Sequence, residues 1–370
     1  MSNNNFFKLV VIADIHFGKK DDNRLYSELK TNFLNVIEEI QNDDNENKIN
    51  MVCIAGDLFD RIIKMNEYSA KIIFDFVSDL CYFGKKYGVF IRILKGTKTH
   101  DFNQLQVFKS LEIKYSNFRI IETVETEYIK ELKFLYLPEE YPENIYNYYS
   151  SYLNDTYDCI IGHGMIDSVA FVPQDDSERI VRNAPVWKLE DLMNICKGPV
   201  IFGHIHDFHE FKDKVYYCGS FSRFSFADKE DKGFLVFNIN KENPENYEGT
   251  FYENEDAPTY KVINIDDISN LDNEAKLKLI NKTKKEYDFV KIKANKNNNE
   301  TLDIIKNITS EDPSIKMEIK NVSVEDNKID EKYLFILRRE YDIYNTIKKF
   351  IEIKYNKNIS LEKIKSIINS

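Results

Sequence analysis

Five of the six histidines in this 370-residue chain, His16, His100, His163, His204 and His206, stand just past the ends of short apolar runs. The stretch Gly203-His204-Ile205-His206 directly follows Val200-Ile201-Phe202. In extended geometry its two imidazoles point the same way, off the strand tip, and Gly203 permits the sharp turn there. A single His-x-His pair is more often two surface histidines, but here aspartates stand at equivalent places: Asp14, Asp57 and Asp101. Imidazoles and carboxylates gathered on one edge make a site for two divalent metals. Asp57, after Gly56 at a strand end, suits the bridging carboxylate that holds two cations together against their repulsion. The mixed donor set fits Mn²⁺, Fe or Zn²⁺ better than Ca²⁺. Two such metals clamp a phosphoryl oxygen and activate a water for in-line attack. His100 is assigned a role beside the metals, stabilising the transition state or protonating the leaving oxygen, with Asp101 fixing its tautomer.

The positioning elements are readable in the same way. Strands are expected at Leu9–Ala13, Met51–Ala55 and Val89–Leu94, alternating with helices whose apolar residues recur at helical spacing over Leu25–Ile40 and about 66–86. Such alternation indicates parallel βαβ units. Further strands are expected at Phe118–Ile121, Leu132–Leu137, Cys159–Ile161, Val200–Phe202, Val215–Cys218 and Gly233–Ile239. Open α/β sheets place their sites outside the carboxyl ends of strands, where the polar residues gather. After residue 240 the texture changes. Tyr260–Ile265, a helix near 273–286, Phe289–Ile292, a helix near 300–309 and Ile315–Ile319 suggest a small α/β cap over 241–325. A helical segment over 326–370 closes the chain.

Composition narrows the classes. With 42% hydrophobic and 31% charged residues the chain is globular. A formal charge of −11 argues against a generic nucleic-acid binder resting on a basic surface, though not against a nuclease whose metals or partner supply positive charge. No apolar run approaches the roughly 20 residues that span a bilayer, and from the polar start Met1-Ser2-Asn3-Asn4-Asn5 no signal peptide is expected. The five scattered cysteines read as buried reduced thiols, so a cytoplasmic location is expected, host cytoplasm if the gene is a phage's.

Asp-x-His, Gly-Asp-x-x-Asp, Gly-x-x-x-His-Asp, Gly-His and Gly-His-x-His, in that order, resemble the calcineurin-like metallophosphoesterases. Ala13-Asp14-Ile15-His16-Phe17-Gly18 and Gly56-Asp57-Leu58-Phe59-Asp60-Arg61 look more particularly like the SbcD-type nuclease subunits of DNA repair and recombination complexes, as does Tyr217-Cys218-Gly219-Ser220-Phe221-Ser222-Arg223. The resemblance implies a four-layer αββα sandwich over 1–240. It implies a DNA exonuclease and endonuclease using two Mn²⁺, with Mg²⁺ or another divalent metal as substitutes, partnered by an SbcC-like coiled-coil ATPase. A homodimer is left open. Carried over, one metal lies on Asp14, His16, Asp57 and His206, the second on Asp57, His163 and His204. The third motif departs from the family's Gly-Asn-His-Asp: Gly96-Thr97-Lys98-Thr99-His100-Asp101 is two residues longer and puts Thr99 where the Asn ligand would stand. Thr99, Asn103 or water could fill that place, and weak binding of the second metal is expected.

Other residues have plainer readings. Asp60 reads as a supporting or capping residue, Arg61 as a surface ion pair or a phosphate contact, and His209 as an ordinary polar residue. Tyr141, Tyr146, Tyr148, Tyr149 and Tyr152 read as packing rather than a base-stacking surface. Tyr333, Leu337, Tyr341, Tyr344, Ile347, Ile351 and Tyr355 give an apolar stripe suited to a partner helix or to the cap. A phosphomonoesterase, a cyclic-nucleotide phosphodiesterase and a non-catalytic scaffold with a decayed second metal site remain alternatives.

Overall fold

The computed structural model describes residues 5–44, 47–167, 184–228, 230–268, 270–295 and 315–320. In chain order the strands of the first 253 residues are β1 (Phe6–Ile12), β2 (Ile49–Ala55), β3 (Phe90–Leu94), β4 (Phe118–Ile121), β5 (Glu125–Ile129), β6 (Leu132–Leu137), β7 (Cys159–His163), β8 (Met165–Ile166), β9 (Val186–Trp187), β10 (Val200–Gly203), β11 (His209–Phe211), β12 (Val215–Tyr217), β13 (Gly233–Asn240) and β14 (Tyr247–Glu253). They form two six-stranded mixed sheets and one short pair, β8 with β9. The first sheet runs β14-β13-β1-β2-β3-β4, and β1 to β4 are mutually parallel. The second runs β11-β12-β10-β7-β6-β5, with β12, β10, β7 and β6 parallel.

Both faces of each sheet are buried, which is why the central strands read as near-continuous apolar runs. Along β1, Val10 and Ile12 enter one core, while Phe7, Leu9 and Val11 enter another shared with Phe134 and Tyr136 of β6 and Cys159 and Ile161 of β7. The second core is therefore the layer between the two sheets. The outer face of the first sheet is covered by α1 (Asp22–Leu29), a π-helical turn, α2 (Asn35–Asn42) and α3 (Tyr68–Tyr87). Asp21 caps α1 by accepting from the backbone of Asn23 and Arg24, and Gly88, at φ 68°, ends α3 in the left-handed conformation. A short helix α4 (Lys109–Lys114) precedes β4. The outer face of the second sheet packs against α5 (Ile145–Leu153) and α6 (Leu189–Ile195), where Tyr149 meets Trp187 at 4.4 Å between ring centres. The layers run helix, sheet, sheet, helix. Inside, Arg92 of β3 crosses to Glu127 of β5 through a two-pronged ion pair at 2.6 and 2.8 Å, with Tyr136 donating to the same carboxylate.

The first unit extends past residue 240. Strand β14 pairs antiparallel with β13 and widens the first sheet, so the boundary expected at 240 falls later. Two compact units divide the chain, 1–262 with 279–291, and 263–278 with 292–370. Beyond β14 come β15 (Tyr260–Asn264), α7 (Asn273–Glu286), β16 (Phe289–Asn295) and β17 (Ile315–Lys320), whose three strands form one sheet in the order β15-β16-β17. The helices expected near 300–309 and over 326–370 lie outside the described residues. All five cysteines are buried and free. No helix among the described residues is long and apolar enough to cross a membrane.

Candidate metal centre

Each expected site residue lies at or beyond the carboxyl end of a parallel strand. Asp14 and His16 follow β1, Asp57 follows β2, residues 96–101 follow β3, His163 ends β7, and His204 and His206 follow β10. The fold gathers them. Donor atoms of Asp14, His16 and His206 lie within 4.8 Å of one another, as do those of His16, Asp57 and His100, and of Asp57, His163 and His204. Asp57 belongs to two of these groups, the place a bridging carboxylate would hold.

The backbone is strained at the same residues. Among the described non-glycine residues nine have positive φ. Four of them, Lys130, Glu131, Lys212 and Asp213, lie in the β5–β6 and β11–β12 hairpin turns, where that conformation is usual. Of the other five, four are candidate ligands: Asp14 (50°), His16 (55°), Asp57 (52°) and His204 (93°). Such conformations cost on the order of 1–3 kcal/mol each and persist only where the surroundings fix them. Here the loops fix one another. Asp14 N–H donates to Gly56 O, His16 N–H to Asp57 O, and His204 N–H to the Asp14 carboxylate at 2.9 Å. Two glycines leave room for the ligands. A Cβ on Gly56 would lie 2.2 Å from His163 Nδ1, and one on Gly96 would lie 2.2 Å from Asp57 Oδ1.

The electrostatics favour a cation. Asp57 is fully buried. Burial alone would raise its carboxyl, but the imidazoles around it, His163 foremost, hold it well below the usual carboxylate range. His163 Nδ1 donates to the Ala55 carbonyl at 2.8 Å, which aims Nε2 at Asp57 Oδ2, 3.3 Å away. Burial opposes charge on His163, yet Asp57 overrides it and raises the imidazole well above its ordinary value. His16 goes the other way. Burial and then His206 push it well below, so it stays neutral, the form that ligates metal. Its Nε2 lies 3.0 Å from His206 Nε2. Its buried Nδ1 has no hydrogen-bond partner, the nearest carboxylate oxygen being Asp60 Oδ1 at 3.6 Å.

Two expectations in the third motif are corrected. Thr99 and Asn103 are exposed. Thr97, directly after Gly96, is the residue in the site. Its hydroxyl lies 3.1 Å from Asp57 Oδ2, 3.3 Å from His163 Nε2 and 3.4 Å from His204 Nδ1. Counting back from His100 selects Thr99, but the two extra residues lie after Thr97, in the turn leading to His100. Asp101 does not set the tautomer of His100. Its carboxylate accepts from three backbone N–H groups, of Asp57 (3.1 Å), Phe59 (3.1 Å) and Gly96 (2.7 Å), pinning the loop after β2 to the loop after β3. Burial, and next the neighbouring Asp57, push it up to about 7. His100 turns Nδ1 to the backbone carbonyl of Asp60 at 2.5 Å.

Glu139 was not anticipated. It is 1% exposed, two residues past β6, with Oε2 3.6 Å from His204 Nδ1 and 4.0 Å from His163 Nε2. Its position carries the signal that marked the other residues, a charged group just beyond a strand's carboxyl end. The chain after β12 is a support: Ser220 N–H and the buried Lys232 ammonium both donate to His206 O, at 2.9 and 2.6 Å, and Phe224 lies edge-on to His16. Arg61 pairs with Glu67 at the surface, and His209 sits in the edge strand β11. Tyr149 is core, while Tyr146 and Tyr148 are exposed. The donors present, imidazoles and carboxylates largely buried and held by backbone strain, fit divalent cations bound by nitrogen and oxygen. No family model matches the chain, and no curated protein matches it in sequence.

Proposed function

We propose that the chain is a two-metal phosphodiesterase of the calcineurin-like metallophosphoesterase kind, acting on DNA with manganese. One observation carries this reading: Asp57, fully buried, stands between an Asp14–His16–His206 donor group and a His163–His204 pair. A pair of divalent cations bound there supplies positive charge to a phosphodiester and acidifies a water for attack. The chain's own residues do the rest. Asp57 holds His163, which is aimed by Ala55 O, and His100, with a ring nitrogen within 4.8 Å of donors of His16 and Asp57, would give a proton to the leaving oxygen. The helix–sheet–sheet–helix layering accords with the four-layer sandwich of that superfamily. DNA as substrate rests on the motif wording at 13–18, 56–61 and 217–223.

Working with an SbcC-like ATPase belongs to the same proposal. Its support is the apolar stripe over 333–355, outside the described residues, and a chain lacking 330–370 should lose co-purification with such a partner while keeping metal-dependent cleavage. The central test is cleavage of short single-stranded DNA against a chromogenic phosphomonoester, with and without Mn²⁺. The expected result is manganese-dependent DNA cleavage abolished by chelation. Turnover of the monoester alone would replace the nuclease by a phosphomonoesterase, and failure to take up any metal would remove the two-metal reading.

A further inference from the structure

We propose that Glu139, with the hydroxyl of Thr97, completes the second cation site, so that a carboxylate serves there as the fourth ligand beside Asp57, His163 and His204. The proposal rests on the two-metal reading and specifies the ligands of one of its ions.

The first argument is distance. Bonds of about 2.0–2.2 Å to nitrogen and oxygen put neighbouring donors on one cation about 2.8–3.6 Å apart, and opposed donors about 4 Å apart. Thr97 Oγ1 lies 3.1 Å from Asp57 Oδ2, 3.3 Å from His163 Nε2, 3.4 Å from His204 Nδ1 and 3.4 Å from Glu139 Oε2. His163 Nε2 is 3.3 Å from Asp57, and Glu139 Oε2 is 3.6 Å from His204 Nδ1. His163 and Glu139, at 4.0 Å, stand across from each other. Six of these seven distances fall in the range for neighbouring donors on one ion and the seventh in the range for opposed donors, with Thr97 Oγ1 within 3.4 Å of each of the other four.

The second argument is charge. A buried carboxylate needs an ion partner or a metal. Among the described residues no lysine or arginine stands at ion-pairing distance from Glu139; the groups that do are the two imidazoles of the site itself. The third is orientation. Tyr141 Oη donates to the other oxygen, Oε1, and Lys98 N–H donates to Tyr141 Oη at 3.1 Å. One oxygen is therefore held from the loop after β3, while Oε2 is left toward the histidines. Ligating carboxylates are characteristically fixed in this way.

The consequence reverses the expectation of a weak second site. Two carboxylates and two imidazoles carry more negative charge than one carboxylate with a neutral amide, and an added oxygen anion favours Mn²⁺ or Mg²⁺ over softer ions.

Calorimetric titration of the full chain with Mn²⁺ tests this directly, with melting in chelator as a control for folding. Wild-type protein should bind two ions. Glu139→Gln, nearly isosteric, should melt like wild type in chelator, keep the first ion and weaken the second by about 10–100-fold, the scale seen for perturbed metal surroundings. Glu139→Ala should weaken it further, and adding Thr97→Asn to Glu139→Ala should restore part of the loss. Two ions bound at wild-type affinity by both Glu139 variants would overturn the assignment and leave the two-metal reading intact. No manganese bound by wild type would overturn both.

Discussion

His100 Nδ1 lies 2.5 Å from the backbone carbonyl of Asp60. A carbonyl can only accept, so Nδ1 is the donor in this contact and Nε2 is the nitrogen left to serve the reacting phosphate. The contact also fixes a ring that packs edge-on to His16 at 4.9 Å between ring centres, in a turn where His100 N–H donates to Thr97 O. If His100 serves the reacting phosphate and not the metals, His100→Ala should retain both manganese ions. Turnover on DNA should fall by about 10²–10⁴-fold, the range for lost acid–base help. Metal analysis alongside cleavage rates checks this, and loss of an ion would move His100 into the ligand set.

Asp57 stands where both donor groups meet, so the two ions should depend on it together. Asp57→Asn should lower total bound metal and abolish cleavage while the circular dichroism spectrum persists. The buried amide would still accept from Thr97 N–H, which donates to Oδ1 at 2.6 Å in the native protein. A variant that cleaved DNA at the wild-type rate would remove Asp57 from the bridging role.

The sequence carried most of this site because of where its residues fall. Ends of buried parallel strands are visible as apolar runs stopping at a polar residue, and Asp14, Asp57, His163, His204 and His206 all obey that rule. What it hid was register and depth. Thr97 and Thr99 are chemically alike two residues apart, and only the turn Thr97–Asp101, closed by Asp101 N–H to Thr97 O, decides which one faces inward. Glu139 was hidden by Glu140 and Glu143 beside it, which make the stretch read as a solvated acidic loop. Strand β5 was missed because Glu125, Thr126, Glu127 and Tyr128 look like surface. Its half-buried Glu127 pairs with the buried Arg92, a pairing no local pattern reveals. Strand β14 was missed likewise, being half-exposed at the sheet edge with Glu248, Gly249 and Thr250 in its middle.

Asp101 holds the metal loops together through three backbone N–H groups, so its loss should act on stability and metal affinity at once. Asp101→Asn turns one acceptor into a donor that faces an N–H. An unsatisfied buried group costs about 1–3 kcal/mol. The variant should therefore melt several degrees lower in chelator and bind manganese more weakly. Gly96→Ala attacks the same joint by crowding, since its Cβ would meet Asp57 Oδ1 at 2.2 Å. Overpacking of this kind costs about 1–3 kcal/mol. Unchanged melting in both variants would show that the joint between the β2 and β3 loops bears little of the site's stability.

His163 ties metal binding to pH. Burial lowers its imidazole, but Asp57 overcomes that and raises it well above the ordinary value, so near neutrality Nε2 carries a proton facing Asp57. A cation on Nε2 must displace that proton, because only the neutral ring ligates. The sign follows. Lowering the pH makes the proton harder to displace and weakens manganese binding, whereas raising it toward the folded-state value strengthens binding until release is complete. His16, pushed well below the ordinary value by burial and His206, is already neutral and should release nothing. Calorimetry in two buffers of different ionisation enthalpy near neutral pH should therefore show about one proton released per protein as the second ion binds, and His163→Gln should remove that release. Identical apparent enthalpies in the two buffers would contradict a protonated His163 and with it the pairing to Asp57 that aims the ring.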